Sequence, residues 1–216
     1  MPDLYFRVES ANPVPLAAQP LIGFKLHISN LPPGETIHTV NLRAQIQIEA
    51  PRRQYSAAEK GLLLDLFGAP DRWGKTLRNF LWTHVSTVVT SFTDSTVAEL
   101  HAPCTFDFNV AATKYFHAVS TGDIPMLLLF SGAVFYANAE GALQAAPISW
   151  NKEARFRLPA RVWREMMDLY YPNSAWLNLR RDVFERLYRY KIDRSLPTWE
   201  DTLESLLAAQ EEVIPQ

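Results

Sequence analysis

The chain has 216 residues, 48% of them apolar and 20% charged, with a formal net charge of −2 and a pI near 6.2. That is a globular composition, and a chain this long can bury roughly 70% of its unfolded surface without staples. One cysteine, Cys104, excludes an intramolecular disulfide and a zinc cluster built on several cysteines, and the near-neutral balance offers no overall attraction for nucleic acid or anionic lipid.

The N-terminal MPDLYFRVES is acidic early and has no apolar h-region, so no secretory signal is expected. The longest apolar run, Ile124 to Phe130, falls far short of the ~20 residues that span a bilayer. With a lone thiol, these features predict a protein of the reducing cytoplasm without a membrane partner.

The first segments alternate with period two. Leu4, Phe6 and Val8 alternate with Tyr5, Arg7 and Glu9. Ile22, Phe24, Leu26 and Ile28 do the same, as do Val40, Leu42, Ala44, Ile46 and Ile48. One buried and one wet face per strand is the antiparallel pattern. Asn12-Pro13 and Asn30 to Gly34 carry the turn chemistry between them.

Ser56-Ala57-Ala58-Glu59 is a capping box that opens a helix over 56–68, with Leu62, Leu63, Leu66 and Phe67 as its apolar face and Gly68 as its stop. Asp71 to Gly74 reads as a turn or a fragment of helix. Strands are then predicted over Phe80–Thr90, Val97–Ala102, Phe106–Ala112 and Pro125–Ala137. Asn138-Ala139-Glu140-Gly141 is a hairpin turn into Leu143–Trp150, and Arg155 to Arg157 completes an outer strand.

From Pro159 the period becomes 3.6. Val162, Met166, Leu169 and Tyr170 mark one helix, and Trp176, Leu179, Val183, Leu187 and Tyr190 a second. A third opens at Thr198 with Leu203, Leu206 and Leu207 as its stripe. The expectation is an α+β chain. An antiparallel β-sandwich of about eight or nine strands fills residues 1–158, with the helix near 56–68 inserted. A helical segment of about three helices, 159–216, packs on it.

No nucleotide, P-loop or nucleophile-elbow motif is present, and eight glycines leave little for a phosphate loop. No cofactor is expected. Of the five histidines none forms a close pair. His84 and His101 lie on separate predicted strands, with Asp107 nearby, and strand pairing could bring the three together as a metal-dependent or hydrolytic site. Solvated histidines on polar strand faces are the plainer reading. Cys104 lies three residues from His101, so on a strand the two face opposite ways, and a buried inert thiol is expected. Glu99, Asp107 and Asp123 could pair for acid–base work only if the fold joins them.

The densest charge signal is basic: Arg180, Arg181, Arg186 and Arg189, with Trp176 and Tyr188 among them. Such a surface suits an acidic partner, or nucleic acid, which the overall charge disfavours. It also suits a solvated face with the ion pairs Asp182–Arg186 and Glu185–Arg189.

Several strings occur together in order: Arg43-Ala44-Gln45-Ile46-Gln47-Ile48-Glu49, Arg52-Arg53-Gln54-Tyr55-Ser56, Leu66-Phe67-Gly68, Pro103-Cys104-Thr105-Phe106-Asp107 and Lys114-Tyr115-Phe116-His117. Leu127 to Gly132, Trp163 to Met167 and Leu196-Pro197-Thr198-Trp199 follow. As a set they resemble the uncharacterised bacterial DUF6084 family over nearly the whole chain. The resemblance implies no activity and no site residues. Proteins similar to that family are encoded near nickel–iron hydrogenase genes of the actinobacterial type. The resemblance therefore implies a non-catalytic interaction or accessory module, with another protein, a hydrogenase subunit or maturation factor, as partner.

Overall fold

The computed structural model describes residues 2–31, 33–105, 110–138, 140–174, 177 and 179–211. Contacts divide the chain into two units, residues 1–174 and 175–216.

The first unit is a sandwich of two antiparallel sheets. β1 (Asp3–Pro13), β2 (Leu21–Leu31) and β5 (Ser95–Pro103) form one sheet in the order β1-β2-β5. β4 (Phe80–Val89), β3 (Ile37–Ile48) and β6 (Asp123–Ala137) form the second. Both β7 (Leu143–Pro147) and β8 (Glu153–Pro159) pair with β6, β7 against Ala133–Ala137 and β8 against Asp123–Leu129. They run end to end along one edge, separated by a protrusion over residues 148–152. Backbone bonds from Ile148 to Gly132 (3.0 Å) and from Phe130 to Lys152 (2.9 Å) pin both sides of it.

The expected alternation is realised. Ile22, Phe24, Leu26, Ile28, Val40, Leu42, Ala44, Ile46 and Ile48 are all buried between the sheets. Aromatic rings join the two layers: Phe6 stacks on Phe130 at 4.3 Å, and Phe24 meets Trp82 at 5.9 Å and Phe156 at 6.1 Å. Pairs of this kind stabilise by about 0.5–1.5 kcal/mol beyond the area they bury.

The capping box forms as the sequence predicts. Ser56 Oγ accepts from the Glu59 amide (3.2 Å), and the Glu59 carboxylate accepts from the Ser56 amide (2.8 Å). The helix is not continuous to Gly68. It breaks at Leu63, giving α1 (Ala57–Leu62) and α2 (Leu64–Phe67). Leu63 is fully buried, and its backbone (φ −92°, ψ 0°) turns the chain there. Asp71 to Gly74 resolves into a short 3-10 turn, Pro70–Arg72, and α3 (Trp73–Thr76).

One predicted strand is corrected. Within Phe106–Ala112, residues 106–109 lie outside the described residues, and Val110 onward is helical: α4 (Val110–Ala118). Its buried residues Ala112, Tyr115, Phe116 and Ala118 follow helical spacing. Phe116 stacks flat on Trp163 (4.3 Å, 8°) and edges Trp82 (5.0 Å). Trp163 belongs to α5 (Ala160–Tyr170), whose Val162, Trp163 and Met166 are also buried. Tyr170 Oη donates to the Val14 carbonyl (2.6 Å) and accepts from the Ala17 amide (3.0 Å), tying α5 to the β1–β2 turn. This anchoring is why the observed division falls after Ser174, one helix beyond the expected boundary at 158.

The second unit is a helical hairpin of α6 (Arg181–Asp193) and α7 (Trp199–Glu211). The predicted helix from Trp176 begins instead at Arg181, and Trp176 lies outside the described residues. Thr198 caps α7: its Oγ1 accepts from the Asp201 amide (3.0 Å), while Asp201 Oδ2 accepts from the Thr198 amide (3.2 Å). No described helix is long and apolar enough to cross a membrane.

Candidate functional site

His84 and His101 do not meet. His84 points outward from β4 in one sheet, and His101 outward from β5 in the other; both are exposed. His101 Nε2 lies 3.1 Å from a Glu99 carboxylate oxygen. Asp107 lies outside the described residues. Among the described residues no group of three side chains could hold a metal ion. Asp123 is exposed at the start of β6, and Glu99 lies on β5 in the other sheet.

Cys104 is 2% exposed. Its Sγ donates to the Ala102 carbonyl (3.4 Å), and burial pushes the thiol up to about 12. A thiol so protonated is a poor nucleophile at neutral pH. Labelling of native protein with a thiol reagent is expected to be at least about a hundredfold slower than labelling in denaturant. Equal rates would contradict this placement.

His84 shares its outward row with Gln45, its register partner on β3. Arg43 stands in the next row, opposite Ser86 on β4 and Ser131 on β6. These side chains and Trp150, on the protrusion between β7 and β8, line a cleft of about 530 Å³. Trp150 is 93% exposed. An indole left in water inside a strand-like stretch was the available signal for this cleft, but reading Leu143–Trp150 as one strand hid it.

A second feature is the Arg53 node. Its guanidinium donates to Glu59 Oε1 (2.6 Å), the Asp123 carbonyl (2.6 Å) and the Thr121 carbonyl (2.7 Å). Burial pushes the Glu59 carboxyl up, but the Ser56 amide and the Arg53 guanidinium outweigh it and hold it below the usual carboxylate range. Beside this pair Tyr55 Oη donates to the Ala50 carbonyl (2.8 Å) and lies 2.7 Å from Tyr115 Oη. Burial drives the Tyr55 phenol up to about 12 and the Tyr115 phenol higher. The two terminal guanidinium nitrogens, the Glu59 carboxylate and both phenols join the α1 region to β6 and α4, while Arg53 Nε is buried without a hydrogen bond, and the node reads as structural.

In the hairpin the ion pairs differ from those expected. Arg180 pairs with Asp182 (3.0 Å) and Arg181 with Glu185 (3.6 Å). Both carboxylates are drawn toward the N-terminal end of α6, and Arg186 and Arg189 make no ion pair among the described residues. Phe184 stacks on Tyr188 (6.2 Å), and Trp199 leans on both (5.2 and 6.2 Å). Phe184, Tyr188 and Ile192 remain 45%, 49% and 57% exposed. Their spacing of four places them on one helical stripe beside Arg181 and Arg189. Leu203, Leu206 and Leu207 of α7 are exposed as well.

Among solved structures, the chain is similar to a solution structure of a protein provisionally described as late embryogenesis abundant (LEA). Identity is 13%, the match covers 74% of this chain and 72% of that one, and the TM-score is 0.31. It is also similar to the crystal structure of a protein from Bordetella pertussis provisionally described as ApaA. There identity is 13%, coverage 73% of this chain and 93% of that one, and the TM-score 0.21. No curated protein matches the chain. The model of the family of unknown function DUF6084 matches residues 1–215, so the chain belongs to that family.

Proposed function

We propose that this chain is a non-catalytic protein-interaction or accessory module, and that the hairpin of residues 175–216 carries its partner-binding face. The observation that supports this is the open stripe Phe184, Tyr188 and Ile192, flanked by Arg181 and Arg189. A hairpin of about 40 residues cannot close a core of its own. Here Thr202 is buried, while Val183, Leu187 and Tyr190 are only half-buried. Aromatic and arginine side chains at the centre of a patch are the types that dominate interface energetics.

The partner is another protein of the cytoplasm. A hydrogenase subunit or maturation factor fits the gene neighbourhood that the family resemblance implies. The test is capture of the tagged full chain from its native host, under conditions that express neighbouring genes, followed by mass spectrometry. A partner at stoichiometric yield is the expected result. A monomer that co-purifies with nothing, or with nucleic acid in a salt-sensitive complex, would refute the reading.

A further inference from the structure

A cleft lies on the outer face of the five-stranded sheet of the first unit. In it Ser86, Arg43 and Ser131 form one cross-strand row, fixed by the register of β4, β3 and β6. Neighbours in such a row stand about 5 Å apart. A guanidinium between two hydroxyls therefore spans about 10 Å and offers donors from three directions. Among the described residues the side chains of Arg43, Ser86 and Ser131 have no ion pair or hydrogen bond of their own. His84 and Gln45 occupy the next row, about 7 Å along the strands. No carboxylate lines the cleft. Glu153, paired with Leu129 in register on the neighbouring strand, is held by Arg155 at 2.6 Å. The local field is thus positive, although the chain as a whole is not.

Trp150 flanks this donor row as a lining residue of the cleft. The Lys152 amide donates to the Ser149 carbonyl (3.2 Å), and the pinned protrusion keeps the indole out of the core while Ile148 anchors it inward. Protrusions of this sort re-aim a side chain beside a site. The backbone opposite the protrusion holds Ser131 next to Gly132, whose φ of +136° and close approach to Asn41 only glycine permits.

We propose that this cleft binds a phosphate monoester whose organic part presents a ring face to an indole, a nucleotide through its base or a sugar phosphate through its sugar ring. The phosphate sits over Arg43 between the Ser86 and Ser131 hydroxyls, and the ring lies against Trp150, its edge within reach of His84 and Gln45. A volume of about 530 Å³ accommodates a ligand of that size. Arginine with flanking hydroxyls is a geometry that recognises phosphate.

The full chain is titrated calorimetrically with adenosine monophosphate, uridine monophosphate, ribose 5-phosphate and inorganic phosphate. At least one ring phosphate is expected to bind with a dissociation constant below about 1 mM, and more tightly than inorganic phosphate. Whether nucleotides or the sugar phosphate bind tighter identifies the source. Arg43→Gln is expected to weaken binding about tenfold or more, and Trp150→Ala to weaken the ring phosphates while leaving inorganic phosphate unchanged. Both positions are exposed, so folding is retained, as circular dichroism will show; Arg7→Gln on β1 is the neutral control. No saturable binding up to about 10 mM, or binding that Arg43→Gln leaves intact, overturns the proposal. Equal affinity for inorganic and ring phosphates overturns the role given to Trp150.

Discussion

Replacing Gly132 with alanine is expected to destabilise the protein by roughly 3 kcal/mol or more. The residue has φ +136°, a conformation that side chains disfavour. A Cβ built there would lie 1.9 Å from the Asn41 carbonyl oxygen and 3.0 Å from its carbon. Asn41 belongs to β3, which is hydrogen-bonded on one side to β4 and on the other to β6. Backbone clamped on both sides cannot move aside. Relief therefore requires breaking the β3–β6 ladder at the centre of the sheet. Gly61 gives the contrast. It lies within α1 with nothing within 4 Å of its would-be Cβ, so Gly61→Ala should stabilise by up to about 1 kcal/mol. Urea unfolding of the two variants checks both signs.

The second large effect is expected at Arg53. Its side chain and that of Glu59 are less than a tenth exposed. Arg53→Ala leaves the Glu59 carboxylate without its cation and removes the bonds to the solvent-accessible Thr121 and Asp123 carbonyls. Removing one member of a buried pair costs about 3–5 kcal/mol. The pH dependence gives a separate handle. Because the folded-state pKa of Glu59 is depressed below its ordinary 4.5, its contribution is present above that value and is lost as pH falls through the lower folded value. In Arg53→Ala burial is no longer outweighed by the guanidinium, so protonating Glu59 relieves the variant. The gap between wild type and variant should be widest at neutral pH and narrow as pH drops below 4.5. A gap that stays constant across that window would show that the loss comes from packing, with the charge pair contributing little.

Much of the architecture was legible in the residues because half-buried antiparallel strands carry period-two alternation. β2 and β3 are the clearest cases, and the capping box at Ser56–Glu59 marked its helix start to the residue. The segment beginning at Phe106 misled for a physical reason. Phe106, Phe108, Val110 and Ala112 alternate with smaller or polar residues, and that short run hides the helical spacing of Ala112, Tyr115 and Phe116 a few residues on. Ion pairing on α6 was mis-assigned because each carboxylate has arginines both before and after it, and spacing alone does not choose between them.

The donor row of the outer cleft was not legible in the sequence. Arg43, Ser86 and Ser131 come from three strands, and only the register of β3 with both β4 and β6 puts them in a row. The protrusion that presents Trp150 is equally a property of pairing, since it exists only because β7 and β8 share one edge of β6. The histidines show the converse. Nearness in sequence suggested a cluster, but β4 and β5 turned out to belong to different sheets.

The central claim, that the hairpin is the face a partner grips, is tested most directly by one comparison. The tagged wild-type chain and a Phe184→Glu/Tyr188→Glu variant are captured side by side from the native host, with circular dichroism confirming that the variant is folded. Both rings are already about half in water, so charge there is tolerated by the free protein. Loss of the co-purifying partner by about tenfold or more from the variant is the predicted result. A folded variant that retains its partner at the wild-type yield would contradict the account.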